Sequence, residues 1–219
     1  MDMDTTRNKE GYEQILSAFA NQEADILIGT QMIVKGHDFP NVTLVGVLAA
    51  DLSLYVSDYH AAERTFQLLT QAAGRAGRGS EPGEVVIQTY QPDHYSVQAA
   101  KEQDYEAFYE QEMEYRRMLL YPPVWNMLVI LCASKLLVQE TGTWQENIKA
   151  AMERVGEVFK KKRVFPVGPA DPAVAKVNDI YKKVIYIKTK DYQTLVELKD
   201  RLEHYMRDNK AFKDTVVQF

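Results

Sequence analysis

One cysteine, Cys132, is the whole thiol complement of this 219-residue sequence. A single thiol cannot close an intrachain disulfide, and it falls short of the cysteine and histidine sets that hold structural zinc. Cys132 lies in the apolar run NMLVILCAS and is expected in the core. His37, His60, His94 and His204 are scattered without ligand spacing, so no metal site is expected. No apolar run reaches the roughly 20 residues that cross a bilayer. The acidic start from Met1 to Arg7 has no secretory pattern, which leaves a cytoplasmic setting as the default. There is no glycine-rich phosphate loop of the GxxxxGKS or GxxxxGKT type, so no self-sufficient site of that kind for a nucleoside triphosphate is encoded. Internal repeats and low-complexity segments are also absent.

What is present is an ordinary globular composition, 46% hydrophobic, long enough for two modest domains. The net charge of −5 hides an asymmetry. Residues 1–120 carry 9 Lys and Arg against 19 Asp and Glu, whereas residues 121–219 carry 17 against 12. The first part argues against a broad nucleic-acid surface, and the basic second part is the better candidate for phosphate contact.

The most informative run is Gln67–Gly79, QLLTQAAGRAGRG. Gln71, Arg75 and Arg78 stand at offsets that share one face if the preceding helix continues through them. Guanidinium offers planar, paired donors to phosphate oxygens, and Gly74 and Gly77 allow another backbone or a ligand to come close. A plainer reading is an arginine-capped, glycine-stopped helix end. A second block, Gly29–Phe39, GTQMIVKGHDF, follows the apolar run Asp25–Ile28 and sets Thr30, Lys35, Gly36 and Asp38 in a strand-to-loop setting of the kind that binds ligands in open α/β sheets. Asp38 could equally cap the turn before Pro40, Lys35 could be a solvated surface lysine, and Glu63 with Arg64 reads as an exposed helix pair.

The element pattern begins with a helix over Asn8–Glu23, its stripe Tyr12, Ile15, Leu16 and Phe19 and its cap Thr5, Thr6 or Asn8. A buried strand over Asp25–Ile28 follows, then a parallel strand over Val42–Ala50 covered on both faces. A helix over Asp58–Arg75 leads to a strand over Glu84–Tyr90, and one or two helices span Tyr95–Leu120. Tyr105, Phe108, Tyr109, Met113 and Arg116 would pack back on this first domain, a parallel α/β sheet. Tyr121-Pro122-Pro123 ends the helix and marks a boundary, giving domains 1–122 and 123–219. Beyond it come a strand (Asn126–Ser134), a helix (Trp144–Lys161), strands Val164–Val167 and Tyr181–Lys188, a helix (Tyr192–Asp208) and a strand (Thr215–Phe219). That βαββαβ order is the split unit of ferredoxin-like α+β folds.

The two blocks resemble the fifth and sixth motifs of superfamily 2 helicases, found in the second of two RecA-like lobes. With LVGVLAAD, DYHAAERTFQLLTQAAGRAGRG, PGEVVIQTYQPDH and YEAFYEQEMEYRRMLLYPP, the sequence resembles the PriA family of primosomal replication-restart helicases along nearly its whole length. The resemblance implies an ATP-dependent DNA helicase moving 3′ to 5′ that restarts stalled replication forks, with forked or single-stranded DNA, single-strand-binding protein and primosome components as partners, acting as a monomer. Arg75 and Arg78 would then be catalytic, as arginine fingers on the β- and γ-phosphates. Gly36, Asp38, Gln71 and Gly74 would face the nucleotide, and Thr30 and Lys35 the DNA backbone. Magnesium would be held by the first lobe, which is missing here, as are the family's zinc cysteines. The sequence therefore reads as a fragment, inactive as an ATPase alone.

In the second domain Lys160, Lys161, Lys162 and Arg163, with Lys182, Lys183, Lys188 and Lys190, are interleaved with Phe159, Phe165, Tyr181 and Tyr186. Charge plus stacking surfaces suit single strands or branched junctions, and the resemblance adds fork binding. The lysines could instead complement a helix dipole or form a wet strand face. Two alternatives stand beside the leading one: a RecG-like superfamily 2 translocase, and a noncatalytic scaffold that binds DNA or replication proteins.

Overall fold

The computed structural model describes residues 9–34, 39–135, 138–139, 142–158 and 162–219. The chain forms two compact units, Met1–Glu110 and Gln111–Phe219.

In the first unit, α1 (Lys9–Ala20) buries Leu16 and half-buries Tyr12, Ile15 and Phe19, as its periodicity predicts. The expected caps Thr5, Thr6 and Asn8 lie outside the described residues. The segment Asp25–Ile28 is not a strand. Ile26 and Ile28 are 77% and 75% exposed, and no described strand pairs with this segment. A single 3₁₀ turn, Gln31–Val34, follows.

Two parallel strands, β1 (Leu44–Val47) and β2 (Glu84–Ile87), pair in register from Leu44 opposite Glu84 to Val47 opposite Ile87. Exposed and half-buried residues alternate along both, so the expectation of two covered faces is corrected: Val45, Val47, Val85 and Ile87 turn to one face, and Leu44 and Val86 stay exposed on the other. Between the strands runs α2 (Ala61–Ala73), shorter at both ends than the expected Asp58–Arg75. Its buried Phe66 and Leu69 meet Val97, Ala99 and Ala100 of α3 (Tyr95–Glu102) and Phe108 of α4 (Tyr105–Met118) in one core. Phe66 and Phe108 stack with ring centres 4.3 Å apart.

The expected α4 stripe is only half right. Phe108 is buried, but Tyr105 and Tyr109 are exposed, and the buried line runs through Phe108, Glu112 and Arg116. The polar members are tolerated because Arg116 Nε donates to Glu112 Oε1 at 2.7 Å, and its Nη1 donates to the Pro122 carbonyl at 3.0 Å.

The second unit carries the sheet order β6-β8-β3-β9, formed by Phe165–Ala170, Ile180–Thr189, Asn126–Ser134 and Thr215–Gln218, all antiparallel. In chain order these four are the expected strands of a ferredoxin-like unit. Short pairs absent from the sequence expectation are β4 (Val138–Gln139) with β5 (Gly142–Thr143), and β7 (Lys176–Val177) with β8. Helices α5 (Trp144–Val158) and α6 (Tyr192–Asp208) cover one face, where Trp144, Ile148, Leu195, Leu198 and Leu202 pack on Ile130, Cys132, Ile185 and Ile187. Asp191 starts α6, its carboxylate accepting from the Gln193 and Thr194 amides at 3.2 Å each. Among the described residues, no helix is long and apolar enough to cross a membrane.

Candidate functional site

The arginine run begins where α2 stops. Gly74, Arg75 and Ala76 continue as a turn, their amides donating to Thr70, Ala72 and Ala73 carbonyls at 3.0, 3.0 and 3.3 Å. At Gly77 the backbone enters the left-handed region (φ +71), and its amide donates to the Val42 carbonyl at 3.0 Å. Of Gln71, Arg75 and Arg78, therefore, only Gln71 is on the helix, and the shared helical face is corrected to a helix end plus a folded loop.

Two glycines set that loop. A Cβ on Gly83 would lie 2.2 Å from the Gly77 nitrogen and 2.4 Å from the Ala76 carbonyl carbon, and one on Gly77 would lie 2.6 Å from the Gly83 nitrogen. The close approach that glycine permits here is between two stretches of the same backbone. Gly74 differs: a Cβ there would sit 3.5 Å from the Thr70 carbonyl oxygen, an ordinary contact at φ −67. Gly74→Ala is expected to leave the thermal midpoint unchanged or raise it, by up to about 1 kcal/mol of stability. A drop in the midpoint would mean that this corner is tighter than its geometry.

Arg78 is exposed, and its Nε donates to the Gly74 carbonyl at 2.7 Å, closing the C-terminal end of α2; Arg75 is half-buried. Both the finger and the helix-capping roles foreseen for this run thus draw on one loop. Gln71 is exposed one turn back. Thr30 is exposed and its carbonyl accepts from the Ile33 amide at 3.1 Å, opening the 3₁₀ turn that packs beside α2. Lys35, Gly36 and Asp38 lie outside the described residues. The Phe39 ring meets Phe19 edge-on at 5.0 Å, and a Cβ on Gly79 would sit 2.4 Å from the Pro40 carbonyl oxygen. The residues that follow the second block are thus laid against the arginine loop, beside the start of β1.

Near the other ends of the strands lies a residue that sequence reasoning passed over. Asp51 is buried, and its carboxylate accepts from the Thr89 hydroxyl, from the Tyr90 amide at 2.8 Å and from the Gln91 amide at 3.2 Å. The available signal was an aspartate directly after an apolar strand, with a threonine two residues beyond the next. The Thr89 hydroxyl first, then the Tyr90 amide, hold the carboxyl below its ordinary value of 3.8 against the opposing effect of burial. A depressed folded-state value means that this latch stabilises fully above the unfolded value, near pH 4, and is lost as pH falls through the folded value. Thermal melts between about pH 3 and 7 should show a steeper acid limb for the native chain than for Asp51→Asn, which lacks that titration. Equal limbs would assign the acid sensitivity elsewhere.

At the start of α2, Arg64 pairs with Asp58 at 2.8 Å, not with Glu63, while Glu63 accepts from Gln67 at 3.2 Å. Asp58 also accepts from the His60 amide at 3.0 Å.

The basic cluster of the second unit is divided. Lys162 pairs with Glu197 at 2.6 Å and Lys183 with Asp171 at 2.7 Å. Arg163 and Lys182 make no ion pair among the described residues. Lys161 lies outside them. Tyr181 packs on the helix-covered core with Lys176 over its ring at 4.8 Å, whereas Tyr186 belongs to the opposite face of β8.

The donor set does not fit zinc. Cys132 is fully buried, burial pushes its thiol up to about 12, and no group of three or more His, Cys, Asp or Glu side chains comes together among the described residues. For a triphosphate the fit is partial: Arg75 and Arg78 suit phosphate oxygens, and no acidic cluster for magnesium accompanies them among the described residues.

Residues 2–80 match the helicase conserved C-terminal domain family, a RecA-like lobe. Over 95% of its length the chain is 46% identical to the replication restart protein PriA of Bacillus subtilis, and over 85% and 86% it is 41% and 40% identical to those of Synechocystis sp. and Chlamydia pneumoniae. Along most of its own length the chain is therefore similar to these replication restart proteins. It spans about a quarter of the length of these relatives, 25%, 22% and 25%.

Proposed function

We propose that this chain is the arginine-donating part of an ATP-dependent DNA helicase that restarts stalled replication forks, moving 3′ to 5′. Residues 1–122 would be the motor lobe and 123–219 a DNA- and partner-binding domain. The carrying observation is the arginine loop, two guanidiniums at a helix end held by the interlocked Gly77 and Gly83 within a helicase C-terminal domain.

In this reading the triphosphate binds between this lobe and another RecA-like lobe of the same protein. Arg78 exchanges the Gly74 carbonyl for a γ-phosphate oxygen, and Arg75 supports it, so that charge developing during in-line attack by water is met by fixed cations. Gln71, one turn back, orients the nucleotide or that water, with Gly36, Asp38 and Gly74 lining the same site. Magnesium would be held by acidic residues of the other lobe and would supply neutralisation of the triphosphate charge. Thr30 and Lys35 face the DNA backbone, and Lys161, Lys162, Arg163, Lys182 and Lys183 add contacts from the second domain, the ion-paired Lys162 and Lys183 less than the others. Single-strand-binding protein and primosome components are the expected partners, and the protein acts as a monomer in the cytoplasm.

A chimera tests this: the chain replaces the corresponding quarter of the Bacillus subtilis protein, and ATP hydrolysis is measured with and without forked DNA. DNA-stimulated turnover is expected. A chimera that folds and binds DNA yet never turns over would leave a binding scaffold instead.

A further inference from the structure

The second unit's sheet has two faces of opposite fate. Ile130, Cys132, Ile185 and Ile187 fix the helix-covered face, so strand alternation turns Met127, Val129 and Leu131 of β3, Lys182, Val184 and Tyr186 of β8, and Phe165 and Val167 of β6 to the other. That second face is covered around Val184 and Lys188, 4% and 8% exposed, and opens along its β6 edge, where Phe165 is 43% exposed and Val167 49%. Register sets Val167 beside Tyr186 and Phe165 beside Lys188, which makes Phe165 and Tyr186 diagonal neighbours at about 7–8 Å. Trp125 meets Phe165 edge-on at 5.5 Å, and Lys190 stands over the Trp125 ring at 5.6 Å. Trp125 and Phe165 thus touch, Tyr186 shares their face diagonally from Phe165, Lys190 lies at the Trp125 ring and Lys182 is four residues before Tyr186 on the same side of β8.

Charge decides what fits. None of β3, β6, β8 or β9 contains a single aspartate or glutamate, so no side chain of the sheet repels a polyanion. An apolar protein segment would need no such bias. Lys188 is occupied otherwise: its ammonium donates to the Leu119 carbonyl at 2.9 Å and lies 3.6 Å from the Tyr121 ring centre, which pins the chain leading to Trp125 onto the sheet.

We infer that this open face binds single-stranded nucleic acid by stacking bases on Trp125, Phe165 and Tyr186, with Lys182 and Lys190 taking backbone phosphates. Stacking needs unpaired bases, because a duplex keeps its π-faces covered, and it tolerates any sequence. The same four-stranded layout serves RNA-binding sheets, which is an analogy of fold only. The inference deepens the proposal that the second domain contacts DNA, and rests on it only for the chemical class of ligand.

The test uses the 219-residue chain without nucleotide and a fluorescein-labelled 20-mer of thymidylate, followed by anisotropy and by tryptophan emission. Trp144 is 1% exposed, so Trp125 is the responsive reporter. Saturable quenching is expected, absent in Trp125→Leu, with affinity for the 20-mer well above that for a duplex of equal length. Phe165→Leu with Tyr186→Leu should weaken binding at least about tenfold while circular dichroism stays native. Equal affinity for duplex, binding without quenching, or unchanged affinity in a folded double variant would each overturn the stacking face, as would no binding at all. Because the measurement needs no ATP, a chimera without turnover leaves it intact, and its own failure leaves the motor proposal standing.

Discussion

Arg78→Ala in the chimeric protein should lower DNA-stimulated ATP hydrolysis by about 10³- to 10⁵-fold, the range for losing an arginine finger, while DNA binding is retained. The reason is differential: a guanidinium aimed at oxygens whose negative charge grows during reaction contributes in the transition state and little in the ground state. Arg78 is the better candidate than Arg75 because it is exposed and its Nε donates to a backbone carbonyl at the end of α2, whereas Arg75 is half-buried. Arg78→Lys should not rescue turnover, since an ammonium cannot present paired donors in one plane. A second consequence separates finger from cap. Losing the Nε contact to Gly74 removes one hydrogen bond at an exposed helix end, about 1 kcal/mol or less, so the thermal midpoint should move little. Turnover that survives would take Arg78 out of the site. Turnover lost together with several degrees of melting temperature would make its role structural.

Gly83→Ala should destabilise the first unit by about 3 kcal/mol or more, a large fraction of the 5–15 kcal/mol that holds a typical domain. Nothing flexible can give way, because the obstacles to a Cβ are the Gly77 nitrogen and the Ala76 carbonyl carbon, both backbone. Relief would require the loop to part from the start of β2 and so to surrender the Gly77 amide bond to Val42. Urea unfolding of the chain measures the loss, and amide exchange at Gly77 shows whether that bond is the one surrendered. Gly74→Ala, nine residues earlier in the same run, is the matched control. If both substitutions cost the same, the interlock is not what holds the arginine loop.

Much of the fold was legible because it is written in local periods. In the second unit, core positions recur at every second residue through Leu128, Ile130 and Cys132 and at helical spacing through Leu195, Leu198 and Leu202, and such patterns need no knowledge of distant residues. The first unit was read less well where period and partner diverge. Asp25–Ile28 has the composition of a buried strand, yet a strand is defined by a neighbour, and no described strand accompanies it. Val42–Ala50 looked covered on both faces because apolar content says nothing about how many layers are packed against it. The arginine motif was found by residue type, but the helix was extended through it, since the offsets of Arg75 and Arg78 mimic helical spacing whether or not the backbone follows.

By itself, then, the sequence determined the two larger units' sheet classes, the order of the long elements from β1 onward and the position of the arginine run, all of which rest on short-range pattern and side-chain type. Tertiary structure alone decided which residues meet across the chain. It set Asp51 against Thr89, Tyr90 and Gln91, locked Gly77 onto Gly83, and sent Tyr181 to the helix-covered side of β8 and Tyr186 to the open one. The physical reason is that hydrogen-bond geometry, close backbone approach and sheet register are set by how folded segments pack, and residues some forty positions apart carry no local mark of having found each other.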